Sequence, residues 1–371
     1  MKKILSFILA LIFCISIASC TGADKAPITD DNASDGAQDK APEIVDEVYS
    51  LSEDIENFKT HGRTAVSDMG LICDTSASGI EFNAYIEGDL KIALGVNKDC
   101  YFTLYIDGVR SEERIYAAAG ESTVTLASFE SGAVHNVKFI KQTEAQQALC
   151  VIKTVGFLGY FETPPADAKY LIEVIGDSIT VGFGNLCTNG TANSQKAIYQ
   201  DATQTYGYLT GESLGADVSL VCYSGIGISL GYPSFTMDSY FAADSYVRDK
   251  DTKFVPDRIP DVVVINLGTN DQTKGASNKD LAEKVPALIS QIREIYGKKV
   301  PIVWLHGMMG EGKWTYIDMA LKRSVGSEKS GIYSLEVDQN SSGGGGHPDL
   351  KAHKDTSEIL AKFLKDKGII K

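Results

Sequence analysis

The chain changes rhythm near Tyr170, and that change limits its possible folds more than any other feature. Before it, apolar and polar residues alternate. In "YFTLYIDGVR" (101–110), Phe102, Leu104 and Ile106 fall on one face and Tyr101, Thr103 and Tyr105 on the other. This is the two-residue period of a half-buried strand. Asp107-Gly108 follows, a pair suited to the positive backbone angles of a tight hairpin. "FNAYIEGDLKIAL" (82–94) repeats the theme with Glu87-Gly88 as its expected turn, and "STVTLASF" and "HNVKFIKQ" continue it. Many short strands without a long helical period predict a β-sandwich over residues 48–165.

After Tyr170 the apolar residues come in short unbroken runs. "YLIEVIG", "DVVVINLG" (261–268) and "VPIVWLHG" (300–307) suit strands covered on both faces, as in a parallel sheet. Between the last two, Leu281, Val285, Leu288, Ile292 and Ile295 recur at helical spacing. Ser277 and Asp280 form a capping-box pattern, Gly297 marks a stop, and Pro286 predicts a kink. "HPDLKAHKDTSEILAKFLKDKG" predicts a closing helix. Strands alternating with helices predict a three-layer α/β domain over 166–371, with its site at the carboxyl ends of the strands.

The N-terminus predicts export. "MKKILSFILALIFCISIASC" has two lysines, an apolar run and small residues before Cys20, the layout of a signal peptide over residues 1–19. Its end resembles a bacterial lipobox, which makes Cys20 the lipidated residue of an extracytoplasmic lipoprotein anchored at the cell surface. Residues 20–47 carry Asp24, Asp30, Asp31, Asp35, Asp39, Glu43, Asp46 and Glu47 with no aromatic residue. Such a segment buries too little apolar surface to offset ordering and predicts a disordered tether. The net charge of −14 argues against nucleic acid as a partner. Beyond Cys14 and Cys20 there remain Cys73, Cys100, Cys150, Cys187 and Cys222, with no CxxC spacing. Buried free thiols are expected, without a zinc or redox motif.

The chemistry-bearing residues sit at the ends of the apolar runs. Gly176-Asp177-Ser178 ends the first, exposing a hydroxyl on a tight turn where a following helix would aim its N–H groups. By itself such a turn is more often a strand end or a helix cap. "VSLVCYSGIGIS" (218–229) ends in Gly225 and Gly227, where a backbone N–H can approach a ligand unobstructed. "INLGTND" brings Asn270, a potential amide donor, though asparagine is also common in turns. "GGGGHP" places His347 before the last helix. His347 and His353 lack the acid or cysteine cluster that a metal site needs, so no metal and no cofactor is expected.

Taken in order, Ser178, Gly227, Asn270 and His347 resemble the four motifs of the SGNH, or GDSL, hydrolases over about 170–371. The β-rich segment before them makes the chain similar to carbohydrate esterase family two, in which a jelly roll precedes the SGNH domain. "IDGVR" (106–110) and "VKFIKQTEAQ" (137–146) resemble that family's sandwich segments. The resemblance implies an O-acetyl esterase acting on polysaccharide or oligosaccharide, with Ser178 as nucleophile and His347 as base. It implies an oxyanion hole from the Ser178 N–H, the Gly227 N–H (Gly225 being the alternative) and the Asn270 side chain, and places Tyr232 and Trp314 where substrate-stacking aromatics lie. One position departs from the pattern: Gly344 stands where SGNH enzymes carry an aspartate three residues before the histidine. A backbone carbonyl of the glycine turn, or a distant acid such as Asp338 or Asp271, is then expected to orient the imidazole. Rival readings are a lipid or thioester hydrolase, an acetyltransferase and a non-catalytic glycan-binding lipoprotein.

Overall fold

The computed structural model describes residues 43–310, 314–324 and 330–371. The signal segment, Cys20 and most of the expected tether lie outside the described residues.

Ten strands between Val45 and Phe161 form one hydrogen-bonded antiparallel sheet. It holds fewer breaks than the sequence suggests. Gly79–Val96 and Gly120–Lys141 are single strands of 18 and 22 residues. "STVTLASF" and "HNVKFIKQ" therefore belong to one strand, and Glu87-Gly88 is not a hairpin. The register between these strands jumps from Ile86↔Ala133 to Gly88↔Phe129, and Gly88 has φ +70°. One glycine in the left-handed region bends a strand at a bulge. A two-residue type I′ hairpin needs two such angles, and Asp107 (φ 53°) and Gly108 (φ 75°) supply them, joining Cys100–Ile106 to Val109–Arg110. The sheet's aromatic core includes Phe82, Phe102, Phe139 and Phe157, with Phe102 and Phe139 stacked at 4.5 Å.

The sheet also begins earlier than the charge pattern suggests. Val45–Ser50 pairs with Cys150–Phe161, so Asp46 and Glu47 lie in a strand. Its acidic side chains are exposed while its main chain pairs. Outward charges are common on peripheral strands, where they discourage further pairing.

The second sheet has five parallel strands in the order Asp217–Cys222, Leu171–Gly176, Val262–Asn266, Ile302–Met308 and Ile332–Gln339. Alternate residues of each strand enter different cores. Val263 and Ile265 pack with Leu281, Val285, Leu288 and Ile292 of the helix Asn278–Tyr296. Val262 and Val264 pack with Leu360 and Leu364 of the helix Leu350–Asp366 and with Tyr206. Sheet and two helical layers make the three-layer α/β arrangement. The Ser277–Asp280 capping box forms as expected, and the helix continues through Pro286 to Tyr296. Cys73, Cys100, Cys150 and Cys222 are buried free thiols, and Cys187 is a half-buried one.

Polar struts join the sheet to the α/β layers. Arg110 pairs with buried Asp201 at 2.7 Å. Buried Arg63 reaches Glu173 at 3.5 Å and sits 3.6 Å from the Phe254 ring centre. A cavity of about 190 Å³ opens beside Arg63, Leu171 and Asp217. It lies at the amino ends of the parallel strands, a full strand length from Ser178, so its size does not make it the reaction site.

Candidate active site

Ser178 begins a one-turn helix, Ser178–Val181, directly after the strand Leu171–Gly176. Gly176 permits this tight exit, since a β-carbon there would lie 1.9 Å from Thr180 Oγ1. Asp177 caps the turn by accepting the Ile179 N–H at 3.0 Å. The Ser178 N–H is left without an acceptor among the described residues, as expected of a first-turn amide.

His347 arrives from the other end of the chain. Its Nε2 lies 2.9 Å from Ser178 Oγ, and Phe183 covers its ring at a centroid distance of 4.3 Å. The glycine turn that carries it is pinned by Gly344 N–H to Gly184 O at 2.9 Å and Gly343 N–H to His347 O at 2.8 Å. Burial pushes the His347 pKa below 6.5, partly opposed by the facing carbonyls of Gly345 and Gly344. The imidazole is therefore neutral near pH 7. Its Nε2 accepts the serine proton in the tautomer protonated at Nδ1. That Nδ1 is buried and makes no hydrogen bond of full geometry among the described residues; the groups that face the ring are the carbonyls of the glycine turn, Gly345 and Gly344, and neither Asp338 nor Asp271 orients it. Asp338 is exposed, and Asp271 is engaged elsewhere.

Asp271 receives the N–H groups of Ile228, Ser229 and Leu230 at 2.8, 2.7 and 2.9 Å. It clamps the far end of the glycine loop. Asn270 beside it has its Nδ2 3.1 Å from Asp177 Oδ2 and 2.8 Å from Ile226 O. The side chain thus ties the serine turn to the glycine loop, and both of its hydrogens have acceptors. Burial pushes the Asp177 pKa up to about 7, with the nearby Asp271 charge adding to it, against the bonds from Ile179 and Asn270.

The loop places its two glycines differently. Among the described residues every peptide is trans, so the N–H of Gly227 points opposite to the Ile226 carbonyl in the same unit. That carbonyl faces Asn270, and Gly231 packs beside the Gly227 nitrogen closely enough that an added β-carbon would lie 2.8 Å from it. Neither the Gly225 N–H nor the Gly227 N–H has a hydrogen-bond acceptor among the described residues, so both remain open to a ligand. Gly225 has φ +80° at the third position of the turn closed by Ile226 N–H to Tyr223 O at 3.2 Å, the position where a type II turn favours glycine.

The two expected aromatics differ. Tyr232 is 63% exposed and carries the Lys274 ammonium 3.8 Å from its ring centre. Trp314 is half-buried against Gly268 and Ile317. A cavity of about 140 Å³ lies beside the His347 turn, between Met308–Gly310 and Gln339–Ser341. His353 is a buried core residue whose Nδ1 accepts the Tyr206 N–H at 3.2 Å. Burial, with His347 adding to it, pushes its pKa down to about 3. Phe183 and the Asp271 clamp were not apparent in the sequence.

Residues 174–329 match the GDSL-like lipase/acylhydrolase family, and residues 60–161 match the carbohydrate esterase 2 N-terminal domain. The chain carries both domains of a family two carbohydrate esterase. A cellulase/esterase CelE of Acetivibrio thermocellus is 31% identical to this chain over 343 residues, 85% of the chain but 40% of that relative. The chain thus spans well under half of that protein. An acetylxylan esterase / glucomannan deacetylase of Cellvibrio japonicus is 23% identical over 64% of the chain and 67% of its own length. Among solved structures, a family two carbohydrate esterase from Clostridium thermocellum in complex with cellohexaose is 26% identical, with a TM-score of 0.72. The match covers 84% of this chain and 99% of that one. The fold is also that of the acetyl xylan esterase Est2A of Butyrivibrio proteoclasticus, with a TM-score of 0.78 at 20% identity over 88% of this chain and all of that one.

Proposed function

We propose that this chain is a carbohydrate O-acetyl esterase acting by serine acyl transfer. The observation that carries the reading is the 2.9 Å contact between Ser178 Oγ and His347 Nε2. Ser178 Oγ attacks the acetyl carbonyl carbon as Nε2 takes its proton. The bond from carbonyl carbon to sugar oxygen then breaks, and Nε2 returns that proton to the leaving sugar oxygen. Water, deprotonated by the same Nε2, attacks the acetyl-serine and releases acetate, and the serine regains its proton. The oxyanion takes the N–H groups of Ser178 and Gly227, with Gly225 as the alternative on the same loop. Asn270 joins them by exchanging its longer bond, to Asp177, for the oxyanion. One such donor lowers the barrier by about 3 kcal/mol.

Acetylated glycan is the substrate class, with Tyr232 as an exposed stacking platform and Trp314 bordering the site. The names of the relatives support this choice. The N-terminal sheet is read as the family's jelly roll. Export as a lipoprotein, with lipid on Cys20 holding it at the cell surface, rests on the N-terminal sequence alone.

Acetate release from acetylated xylan, acetylated glucomannan and nitrophenyl acetate tests the reading, with Ser178→Ala as the control. Loss in the variant supports it. A wild type as inert as Ser178→Ala on all three sinks it in favour of non-catalytic glycan binding. Acetylation of an oligosaccharide from an acyl donor, outpacing hydrolysis, favours a transferase.

A further inference from the structure

The segment that follows the longest strand of the N-terminal sheet reaches the glycine loop of the α/β domain. Glu144 follows the long strand Gly120–Lys141 and is fully buried. Its carboxylate accepts the Ser224 N–H at 2.8 Å and the Ser224 hydroxyl at 2.7 Å. The Gln200 amide donates to the same carboxylate at 3.1 Å, and the Glu144 N–H donates to the Gln200 side-chain oxygen at 2.8 Å. Burying a carboxylate is costly unless each oxygen is bonded, and here both are. Fully buried Lys141 lies nearby, its ammonium held by the carbonyls of Asp74 and Thr143 at 3.0 and 2.6 Å.

Ser224 is the residue before Gly225, and the two share the peptide unit that carries the Gly225 N–H. Glu144 holds Ser224 through both its main chain and its side chain, which fixes the near end of the loop. Asp271 fixes the far end through Ile228, Ser229 and Leu230. We infer that Glu144 is a positioning residue for the oxyanion loop, so that the N-terminal sheet is a working part of the esterase site. This rests on the esterase reading. Its structural half, the hold on the loop, is testable without a substrate.

Glu144→Ala, Glu144→Gln and Ser224→Ala are made in the full chain. Two readouts are taken: steady-state kinetics on nitrophenyl acetate, and amide hydrogen exchange of peptides covering 223–230. A small displacement of a donor costs far more in turnover than in binding, so Glu144→Ala loses about tenfold to a hundredfold in kcat with KM within about twofold. Exchange in 223–230 accelerates while the strand Val262–Asn266 keeps its protection. Glu144→Gln regains part of both, because its amide oxygen still accepts the Ser224 N–H and the Ser224 hydroxyl can turn to accept from the amide, while the Gln200 amide loses its acceptor. Unchanged exchange in a folded Glu144→Ala overturns the inference, as does faster exchange with wild-type kcat. If Glu144→Ala does not fold, Ser224→Ala decides: accelerated loop exchange supports the tie and unchanged exchange ends it. An inert wild type defeats the esterase reading, and the exchange result still decides whether Glu144 holds the loop.

Discussion

Gly184 and Gly344 meet backbone to backbone. A β-carbon on Gly184 would lie 2.7 Å from the Gly344 carbonyl oxygen, and one on Gly344 would lie 2.5 Å from Cys187 Sγ and 2.6 Å from Ser194 Cβ. The position where related hydrolases carry an aspartate therefore has no room for any side chain. Gly344→Asp does not rebuild a third catalytic member. It forces the glycine turn apart, lowering stability by about 1–3 kcal/mol as overpacking does, and it lowers turnover by moving His347. A thermal melt and the esterase rate check both, and a Gly344→Asp enzyme faster than wild type contradicts the packing argument.

An imidazole faced by glycine-turn carbonyls and by no carboxylate has a kinetic signature. Burial favours the neutral imidazole, so the His347 pKa lies below 6.5. The neutral form is the base, and it persists as pH falls until that lowered pKa is reached. The acid limb of kcat/KM is expected to have its midpoint below pH 6.5, with a plateau above it. A carboxylate at Nδ1 would stabilise the cation and move the limb the other way. A pH–rate profile with a midpoint above 6.5 contradicts the observed surroundings of His347.

Local signals carried much of the fold. The apolar runs at 261–268 and 300–307, the Ser277–Asp280 cap and the Asp107-Gly108 turn each follow from neighbouring residues, and the structure contains all of them. Glu87-Gly88 misled because a positive angle at one glycine serves a bulge as well as a turn, and only the partner strand distinguishes them. The serine–histidine pairing was legible from motif order, although the two residues are 169 positions apart. The choice between Gly225 and Gly227 was not, because it depends on how the loop turns its N–H groups, and contacts from Asn270 and Asp271, distant in sequence, constrain that loop. Asp271 was visible as an acid, but three N–H groups of the glycine loop, more than forty residues earlier, decide what it does.

Removing the charge at Asp271 tests that clamp. Asp271→Asn keeps one oxygen for the Ser229 and Leu230 N–H groups but turns an amide donor towards the Ile228 N–H, or the reverse after a flip. A buried N–H without an acceptor costs about 1–3 kcal/mol. The variant is expected to melt earlier and to lose turnover on small esters and polymers alike, because the loop serves every substrate. A loss restricted to polymeric substrate would contradict a clamp on the loop.

The aromatics predict the opposite selectivity. Tyr232 is largely exposed, and its ring already holds the Lys274 ammonium at 3.8 Å, so its removal leaves the core intact. Trp314 covers Gly268 and Ile317, so its removal opens a gap at the strand end before Asn270. Tyr232→Ala is therefore expected to raise KM on acetylated polysaccharide severalfold, in line with roughly 1 kcal/mol for a lost ring contact, with the nitrophenyl acetate rate and the melting temperature unchanged. Trp314→Ala is expected to lower the melting temperature and both rates together. Steady-state kinetics on the two substrates, with a melt of each variant, separate the cases. A Tyr232→Ala enzyme with wild-type KM on the polymer removes that ring from the glycan-binding surface and leaves the Ser178–His347 chemistry as it stands.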